Sequence, residues 1–167
     1  MLIGLLSDSH ANASRLEKGI ALLIQQGAEL LVHCGDIVAG DHVSILAQPG
    51  APAYLVAGSM DRQTGRFAKE AQRCGVHFAA DFLEVPLGEG QYLIAMHGDN
   101  EQLLCELVEG GQFPYVCHGH THRTANETFG SVRVICPGAL THPRWPKYPT
   151  VAILDTDSDT VRFIEVV

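Results

Sequence analysis

The sequence has few positive charges. Lysine and arginine together number 11 against 19 aspartates and glutamates, which gives a formal net charge of −8. This balance disfavours proteins that bind nucleic acid through a broad basic surface, because such binding depends on neutralising many backbone phosphates. An anionic ligand would therefore have to be held locally, at a small site.

Cysteine occurs without any paired pattern, and long apolar runs are missing. The five cysteines form no CxxC motif, and their odd number argues against a complete disulfide framework. No apolar run reaches the roughly 18 residues that span a bilayer, and the N-terminus has no basic flank or small-residue cleavage pattern. We expect a soluble cytoplasmic protein with reduced thiols and no membrane partner.

Repeats, low-complexity tracts and linkers are also lacking, so the 167 residues are predicted to form one domain, 1–167. Short apolar segments alternate with helical patterns, which indicates an α/β fold. The strands predicted before the polar clusters are Leu2–Leu6, Leu30–His33, 53–57, 92–96 and Tyr115–Cys117. Two further strands, 151–155 and 160–166, are predicted to pair antiparallel through a turn.

The first predicted helix follows the first strand. Ser14 and Glu17 fit a capping box at its start, and Gly27 fits a left-handed stop. Its apolar face is predicted to consist of Leu16, Ile20, Leu23 and Ile24. A second helix is predicted at 63–74, closed by Gly75, and a third carries four apolar residues before Gly110.

Polar clusters follow five of the apolar strands. Because the carboxyl ends of parallel strands gather at one edge of a sheet, residues distant in sequence are expected to converge there. Two of the clusters contain paired side chains spaced two apart, a spacing that turns both toward the same side of an extended segment. The residues concerned are Asp8, His10, Asp36, Ser59, Asp61, His97, His120 and His122.

These residue types suit a metal site. Aspartate supplies a hard oxygen that can bridge two cations, and neutral imidazole supplies a directional nitrogen. Taken singly, Asp8-Ser9-His10 is more often a capping turn, whereas the pair His120 and His122 has few purely structural uses. The remaining histidines are expected at the surface or in hydrogen bonds, with His118 a candidate to support a metal ligand: His33, His42, His77, His118 and His142.

With these residues placed, the sequence resembles the calcineurin-like metallophosphoesterases, in particular their small prokaryotic phosphodiesterase branch. The resemblance covers nearly the whole chain. It rests on Asp8-Ser-His10, Gly35-Asp36, Gly58-Ser-Met-Asp61, His97-Gly98, Gly119-His-Thr-His122 and Cys136-Pro-Gly-Ala139 followed by Pro143-Arg144. It implies a four-layer α/β/β/α sandwich with two mixed sheets, the metallo-dependent phosphatase-like fold.

The resemblance also implies a centre of two divalent metal ions, manganese first, with iron, zinc, nickel or cobalt as alternatives. One ion would take Asp8, His10, Asp36 and His122. The other would take Asp36, His97 and His120, with Ser59 beside it. Catalytic roles are expected for Asp36, His97 and Asp61, and substrate contacts for Ser59 and Arg144.

Two positions depart from the family pattern. Ser59 stands where the family usually has an asparagine ligand, so the second ion is expected to be held less firmly or to take water there. Met60 stands where many members have a histidine that resembles the proton donor to the leaving group, although the small prokaryotic branch often lacks it. Asp61 is expected to orient its loop by accepting hydrogen bonds, with acid catalysis as the alternative.

The implied activity is hydrolysis of a small phosphate ester, a phosphodiester before a monoester, by in-line attack of a hydroxide that bridges the two metals. The alternative from another class is a weakly active or inactive protein-interaction scaffold, as for the retromer subunit of similar fold. A metal-dependent nuclease is less favoured, because the chain lacks a basic groove. Trp145 is expected to pack in the core, and an exposed edge strand is a possible route to a homo-oligomer.

Overall fold

Two β-sheets packed face to face form the centre of the computed structural model, which describes residues 1–167. Its strands are β1 Leu2–Leu6, β2 Leu30–His33, β3 Ala53–Val56, β4 His77–Ala79, β5 Phe82–Gly88, β6 Gln91–Met96, β7 Tyr115–Cys117, β8 Thr124–Phe129, β9 Val132–Pro137, β10 Thr150–Asp155 and β11 Thr160–Glu165. Its helices are α1 Ala13–Gln25, α2 Val43–Leu46, α3 Thr64–Cys74 and α4 Glu101–Gly110, with a 3-10 helix at Gly40–His42.

Both sheets are mixed. The first has the order β11-β10-β1-β2-β3-β4, in which β1 to β4 are parallel, β10 is antiparallel to β1, and β11 is antiparallel to β10. The second has the order β5-β6-β7-β9-β8, with a parallel centre and an antiparallel strand at each edge. The predicted fold class is confirmed.

Three apolar clusters hold the four layers together. A cluster of 14 buried residues, including Leu5, Val32 and Cys117, fills the space between the sheets. A cluster of 18 joins α1, α2 and α3 to the outer face of the first sheet, and a small one of 4 lies under α4 on the second. Burial of this apolar area is the main force that holds the sheets in register. None of the helices has the length and apolar character that crossing a bilayer requires.

The start of α1 differs from the capping-box prediction. Asn12 is the cap, and its side chain accepts a hydrogen bond from the N–H of Arg15 at 3.1 Å, so the box of Ser14 and Glu17 is wrong. Ile24, assigned to the apolar face, is 38% exposed. The stop is as predicted, since Gly27 has φ +89° directly after the helix.

The parallel strands of both sheets deliver their carboxyl ends to one edge. β1, β2 and β3 end there in the first sheet, and β6 and β7 end there in the second. The loops that follow these strands carry the polar clusters of the sequence. The fold therefore brings residues from positions 8 to 122 into one place.

Candidate metal centre

The loops at this edge have an unusual backbone. Five of the proposed metal ligands have positive φ angles, in the left-handed region that non-glycine residues seldom adopt: Asp8 +54°, His10 +43°, Asp36 +56°, His120 +64° and His122 +56°. Such conformations cost on the order of 1 kcal/mol each and persist where the surroundings enforce them. They are typical of functional sites.

Hydrogen bonds between separate loops enforce this backbone. The N–H of Asp8 donates to the carbonyl of Gly35 at 3.0 Å, and the N–H of His10 donates to that of Asp36 at 2.9 Å. The loop after β9 joins them, because the N–H of Thr141 donates to the carbonyl of Asp8 at 3.0 Å. Backbone hydrogen bonds thus connect the loops after β1, β2 and β9 to one another.

Two motif glycines permit the close packing of these loops. A β-carbon on Gly119 would collide with Oγ of Ser7 and press on the Asp8 carboxylate. A β-carbon on Gly58 would collide with the backbone nitrogen of Asp36. The glycines therefore precede the functional side chains because only glycine allows these contacts.

Asp8 is fully buried and has one oxygen without a hydrogen bond. Oδ2 accepts from the hydroxyl of Ser7 at 2.7 Å and from the N–H of His120 at 3.1 Å. Oδ1 forms no hydrogen bond, although Nε2 of His122 lies 3.2 Å away and Nε2 of His10 lies 3.7 Å away. A buried carboxylate oxygen in this condition needs a cationic partner.

The two histidines near Asp8 direct their free nitrogens at each other. Nδ1 of His122 donates to the carbonyl of His142 at 2.8 Å, so Nε2 of the neutral ring carries the lone pair. Nε2 of His10 lies 3.3 Å from that atom. A cation between the two rings would satisfy both nitrogens and Oδ1 of Asp8 together.

His97 and Asp36 form the second part of the centre. Nδ1 of His97 donates to the carbonyl of Cys34 at 2.8 Å, while its buried Nε2 has no hydrogen bond and lies 3.5 Å from Oδ2 of Asp36. The same Oδ2 lies 3.9 Å from Nε2 of His10. One oxygen of Asp36 thus stands between residues of both parts.

The pKa shifts of His97 and Asp36 also indicate that a positive charge is favoured between them. Burial opposes charge on His97, but the Asp36 carboxylate and the Cys34 carbonyl override it and raise the pKa of His97 to about 9. Burial likewise opposes charge on Asp36, yet His97 and the N–H of Met60 lower the pKa of that carboxyl. Without a metal, a proton on His97 supplies the positive charge that the carboxylates require.

The donor set fits divalent cations. Ligand atoms of Asp8, His10 and His122 lie within 4.8 Å of one another, as do those of Asp8, Asp36 and His97. Oxygen and imidazole nitrogen suit manganese, iron, zinc, nickel and cobalt. The ring of His120 is exposed and lies outside these two groups, with its centroid 5.1 Å from that of His97.

The other predicted site residues lie around this centre. Ser59 is exposed and its hydroxyl donates to Oδ2 of Asp36 at 3.4 Å, so it borders the second part. Met60, 49% exposed, donates its N–H to Oδ1 of Asp36 at 2.7 Å. Arg144 is exposed, and its N–H donates to the carbonyl of His122 at 2.8 Å. The Asp8 carboxylate raises the pKa of His122, and the charge of Arg144 opposes that rise.

Asp61 is buried and both of its carboxylate oxygens accept hydrogen bonds from the backbone. The donors are the N–H groups of Ile37, Val38 and Gly58, at 3.3, 2.6 and 2.8 Å. Burial raises the pKa of Asp61. These contacts tie the loop after β2 to the loop after β3, which supports the loop-orienting interpretation over acid catalysis.

His33, expected at the surface or in hydrogen bonds, is a buried hydrogen-bonding residue beside the ligand loops. It is fully buried, its Nδ1 accepts from the N–H of Gly35 at 3.2 Å, and its Nε2 pairs with the hydroxyl of Ser9 at 3.1 Å. Burial lowers the pKa of His33 to about 4, so the ring is neutral. Through its contacts with Ser9 and Gly35, the ring connects the loop after β1 to the loop after β2. Its place at the end of an apolar strand, directly before Cys34-Gly35-Asp36, was the available signal.

His118 lies beside the loops that follow β6 and β7. His118 is buried, donates from Nδ1 to the carbonyl of Gly119 at 3.0 Å, and packs against Gly98.

Trp145 is 63% exposed, so the expectation of core packing is wrong. The stretch that carries Trp145 is rich in proline and polar residues, and such loops run over the surface.

Comparison with known proteins places the chain in a family. The profile of the calcineurin-like phosphoesterase superfamily domain matches residues 1–159. The chain belongs to this superfamily. The resemblance predicted from the motifs is thereby confirmed, and the superfamily is one of metal-dependent phosphoesterases.

Similar proteins span nearly all of the chain. The phosphodiesterase MJ0936 of Methanocaldococcus jannaschii is 27% identical over 98% of both chains. The phosphodiesterase YfcE of Escherichia coli K12 is 28% identical over 90% of this chain and 85% of its own. The structure of an archaeal phosphodiesterase superposes with a TM-score of 0.88 at 26% identity, over 99% of each chain.

Proposed function

We propose that the chain hydrolyses phosphodiesters at a centre of two divalent metal ions. The observation that carries this proposal is the pair of buried, unpartnered ligand atoms Oδ1 of Asp8 and Nε2 of His97, in residues whose ligand atoms lie within 4.8 Å of one another. Both need a cation; Asp8 belongs to both ligand groups, and His97 belongs to the second. The named relatives, which are phosphodiesterases, favour a diester over a monoester as the substrate.

The first ion would be held by Asp8, His10, Asp36 and His122, and the second by Asp36, His97 and His120 with Ser59 beside it. When bound, divalent ions polarise phosphoryl oxygens and lower the pKa of water. Manganese is our first choice, because aspartate oxygens contribute to both sites and hard oxygen ligands suit it.

The chain itself positions the reactants. Oδ2 of Asp36 lies 3.5 Å from Nε2 of His97 and 3.9 Å from Nε2 of His10, and its other neighbour is the hydroxyl of Ser59. Ser59 and Arg144 are the residues that would contact the phosphoryl oxygens. Water gives up a proton to the solvent while its oxygen attacks phosphorus in line with the departing oxygen; the bond between phosphorus and that oxygen breaks, and the departing alkoxide takes up a proton. The Met60 side chain cannot give this proton, so solvent at the open side would supply it.

The scaffold alternative is less well supported by the geometry. An inactive scaffold has no need to keep strained backbone at five ligand positions or to leave two buried polar atoms unpartnered. The exposed side of the centre, with Ser59 and His120, is also open to a small substrate. Loss of the usual asparagine at Ser59 remains the one feature in its favour.

The test is a phosphodiesterase assay on metal-stripped protein, restored separately with manganese, iron, zinc, nickel and cobalt. The matched variants are Asp36→Asn and Asp41→Asn, since Asp41 is an exposed carboxylate on the segment that follows Asp36. We expect activity to return with metal, to be lost in Asp36→Asn and to be kept in Asp41→Asn. Full activity in the metal-stripped protein, or in Asp36→Asn, would contradict the proposal.

We further propose a cytoplasmic protein with a single domain. All five cysteines are free thiols and three of them are buried, as expected in a reducing compartment. The cluster between the sheets joins strands from the first and last thirds of the chain, which supports one domain.

A further inference from the structure

Three aromatic side chains are exposed on the loop after β9 and on β11. Trp145 is 63% exposed, Tyr148 is 44% exposed and Phe163 is 37% exposed. Aromatic side chains bury large areas when they find a partner, so a group of them left at the surface marks a binding site. The question is what these three rings bind.

The three rings line one groove of about 510 Å³, a size typical of sites for small molecules. The groove opens between the starts of β8 and β10 and the end of β11, where one sheet meets the other. Its polar lining consists of Thr124, Thr150 and Glu165. Thr150 is already engaged, because its hydroxyl donates to the carbonyl of Pro137 at 2.7 Å.

The groove lies at the same edge of the molecule as the metal centre. β10 runs antiparallel to β1 with Ala152 opposite Leu5, so Thr150, at the start of β10, is level with the loop that carries Asp8. The N–H of Thr124 donates to the carbonyl of Trp145 at 2.8 Å. The N–H groups of Arg144 and Trp145 both donate to the carbonyl of His122, at 2.8 and 3.3 Å.

The charges divide the region into two parts. Glu165 is the charged side chain in the lining of the groove, which therefore disfavours a phosphate. Arg144, next to His122, and the metal centre favour one. A ligand with an anionic phosphate and an uncharged planar ring matches this division, with the phosphate at the centre and the ring in the groove.

We propose that this aromatic groove binds the planar ring of the substrate, so that the preferred substrates are phosphodiesters bearing an aromatic ring. The inference rests on the proposed function, since the phosphate must sit at the metal centre. Stacking on Trp145 supplies the ring contact, and Tyr148 and Phe163 wall the groove. An aryl ester and a nucleotide both carry such a ring.

Trp145 is the only tryptophan, so its fluorescence reports on the groove directly. The manganese-loaded protein is titrated with phenyl phosphate, a nucleoside monophosphate, ribose phosphate and inorganic phosphate. We expect the ligands with a ring to change the fluorescence and to bind roughly tenfold more tightly than ribose phosphate, the size of one stacking contact. Tighter binding of phenyl phosphate than of the nucleotide identifies an aryl ester, and the reverse identifies a nucleotide.

Equal affinity for ribose phosphate and the ligands with a ring would overturn the inference. This readout needs no turnover, so it separates the two claims. If the diester is hydrolysed but the ring adds no affinity, the groove assignment fails and the proposed function stands. If no hydrolysis occurs, the proposed function fails and the titration still decides what the groove binds.

Variants provide the second test. Trp145→Ala is expected to lower kcat/KM for bis(p-nitrophenyl) phosphate roughly tenfold, mainly through KM, and Trp145→Phe to restore most of it. Phe129→Ala, at a ring 50% exposed at the end of β8, is the matched control and should leave kcat/KM unchanged. Unchanged KM in Trp145→Ala, or a variant that only breaks up an oligomer, would contradict the inference and assign the rings to a protein interface.

Discussion

The two sides of the proposed metal centre differ in burial and in the hydrogen bonds that hold their side chains. On the inner side, Asp8, Asp36 and His97 are at most 3% exposed, and each has one atom fixed by a hydrogen bond. On the outer side, Ser59 and His120 are exposed. The difference predicts that the inner residues are in place before any metal binds, whereas the outer residues are open to solvent.

The largest effect is expected from the inner side. Asp8→Asn removes the charge from the oxygen that faces His10 and His122 and keeps the size of the side chain. Changes next to ligands already cost roughly 10- to 100-fold, so we expect phosphodiesterase activity to fall by more than about 100-fold. Metal content and turnover are measured together, with Asp41→Asn as the control. Normal metal content in Asp8→Asn would show that the inner side is not the ligand-bearing one.

The second largest effect is expected at His33, the buried residue that supports the inner side, and it should appear in the stability of the protein. His33→Ala leaves the N–H of Gly35 and the hydroxyl of Ser9 without their buried partner. We expect the free energy of unfolding in urea to fall by about 2 kcal/mol. His77→Ala, at an exposed position at the start of β4, should change it far less. Equal losses in the two variants would refute the special role of His33.

The affinity of the inner side for metal should depend on pH because His97 is protonated at neutral pH. Because its pKa is raised to about 9, the ring is protonated at neutral pH and a metal must displace that proton. In the metal-free protein this proton stabilises the fold below pH about 6.5, and the stabilisation is lost as pH rises through about 9. Metal affinity should therefore rise up to tenfold per pH unit between neutrality and about pH 9.

Calorimetry in buffers of different ionisation enthalpy checks this expectation, because it counts the protons released when manganese binds. Release of about one proton at neutral pH agrees with it. An affinity that does not change with pH over this range, with no proton released, would show that His97 is already neutral.

The smallest effect is expected from the outer side. Ser59→Asn places a carbonyl oxygen, a better ligand than a hydroxyl, beside Oδ2 of Asp36. We expect the affinity for the more weakly bound ion to rise roughly tenfold, with the tighter ion unchanged. Ser59→Ala is the control and should show no gain. If both ions tighten equally, the outer side is not a separate site.

The sequence predicted the interior of the sheets better than their edges. β1, β2 and β7 have the predicted bounds because they are buried apolar runs. β4, β5 and β8 were not predicted, and all three are edge strands with exposed residues. Edge strands have polar side chains on at least one face, which removes the apolar signal that identifies a strand.

The convergence of the proposed ligand residues was predictable because each cluster follows a buried strand, but the hydrogen-bond partners of these residues were not predictable. Asn12 replaces Ser14 as the cap of α1, and which polar residue accepts the helix N–H is decided by the strained turn before the helix. The exposure of Trp145 depends on how the loop after β9 attaches to His122. The roles of Asp61, Ser59 and Arg144 in the reaction stay predictions.

The bracing of the ligand loops by distant parts of the chain has a consequence for synthesis in the cell. Asp8 is synthesised before its partners: its carbonyl accepts from the N–H of Thr141, its carboxylate accepts from the N–H of His120, and Nε2 of His122 lies 3.2 Å from its Oδ1. A partly made chain therefore has no complete chelating site. If the proposed centre binds metal, we expect uptake only after Thr141 has been synthesised, and the bound ion would then stabilise chains in which the loops of Asp8 and His122 have come together.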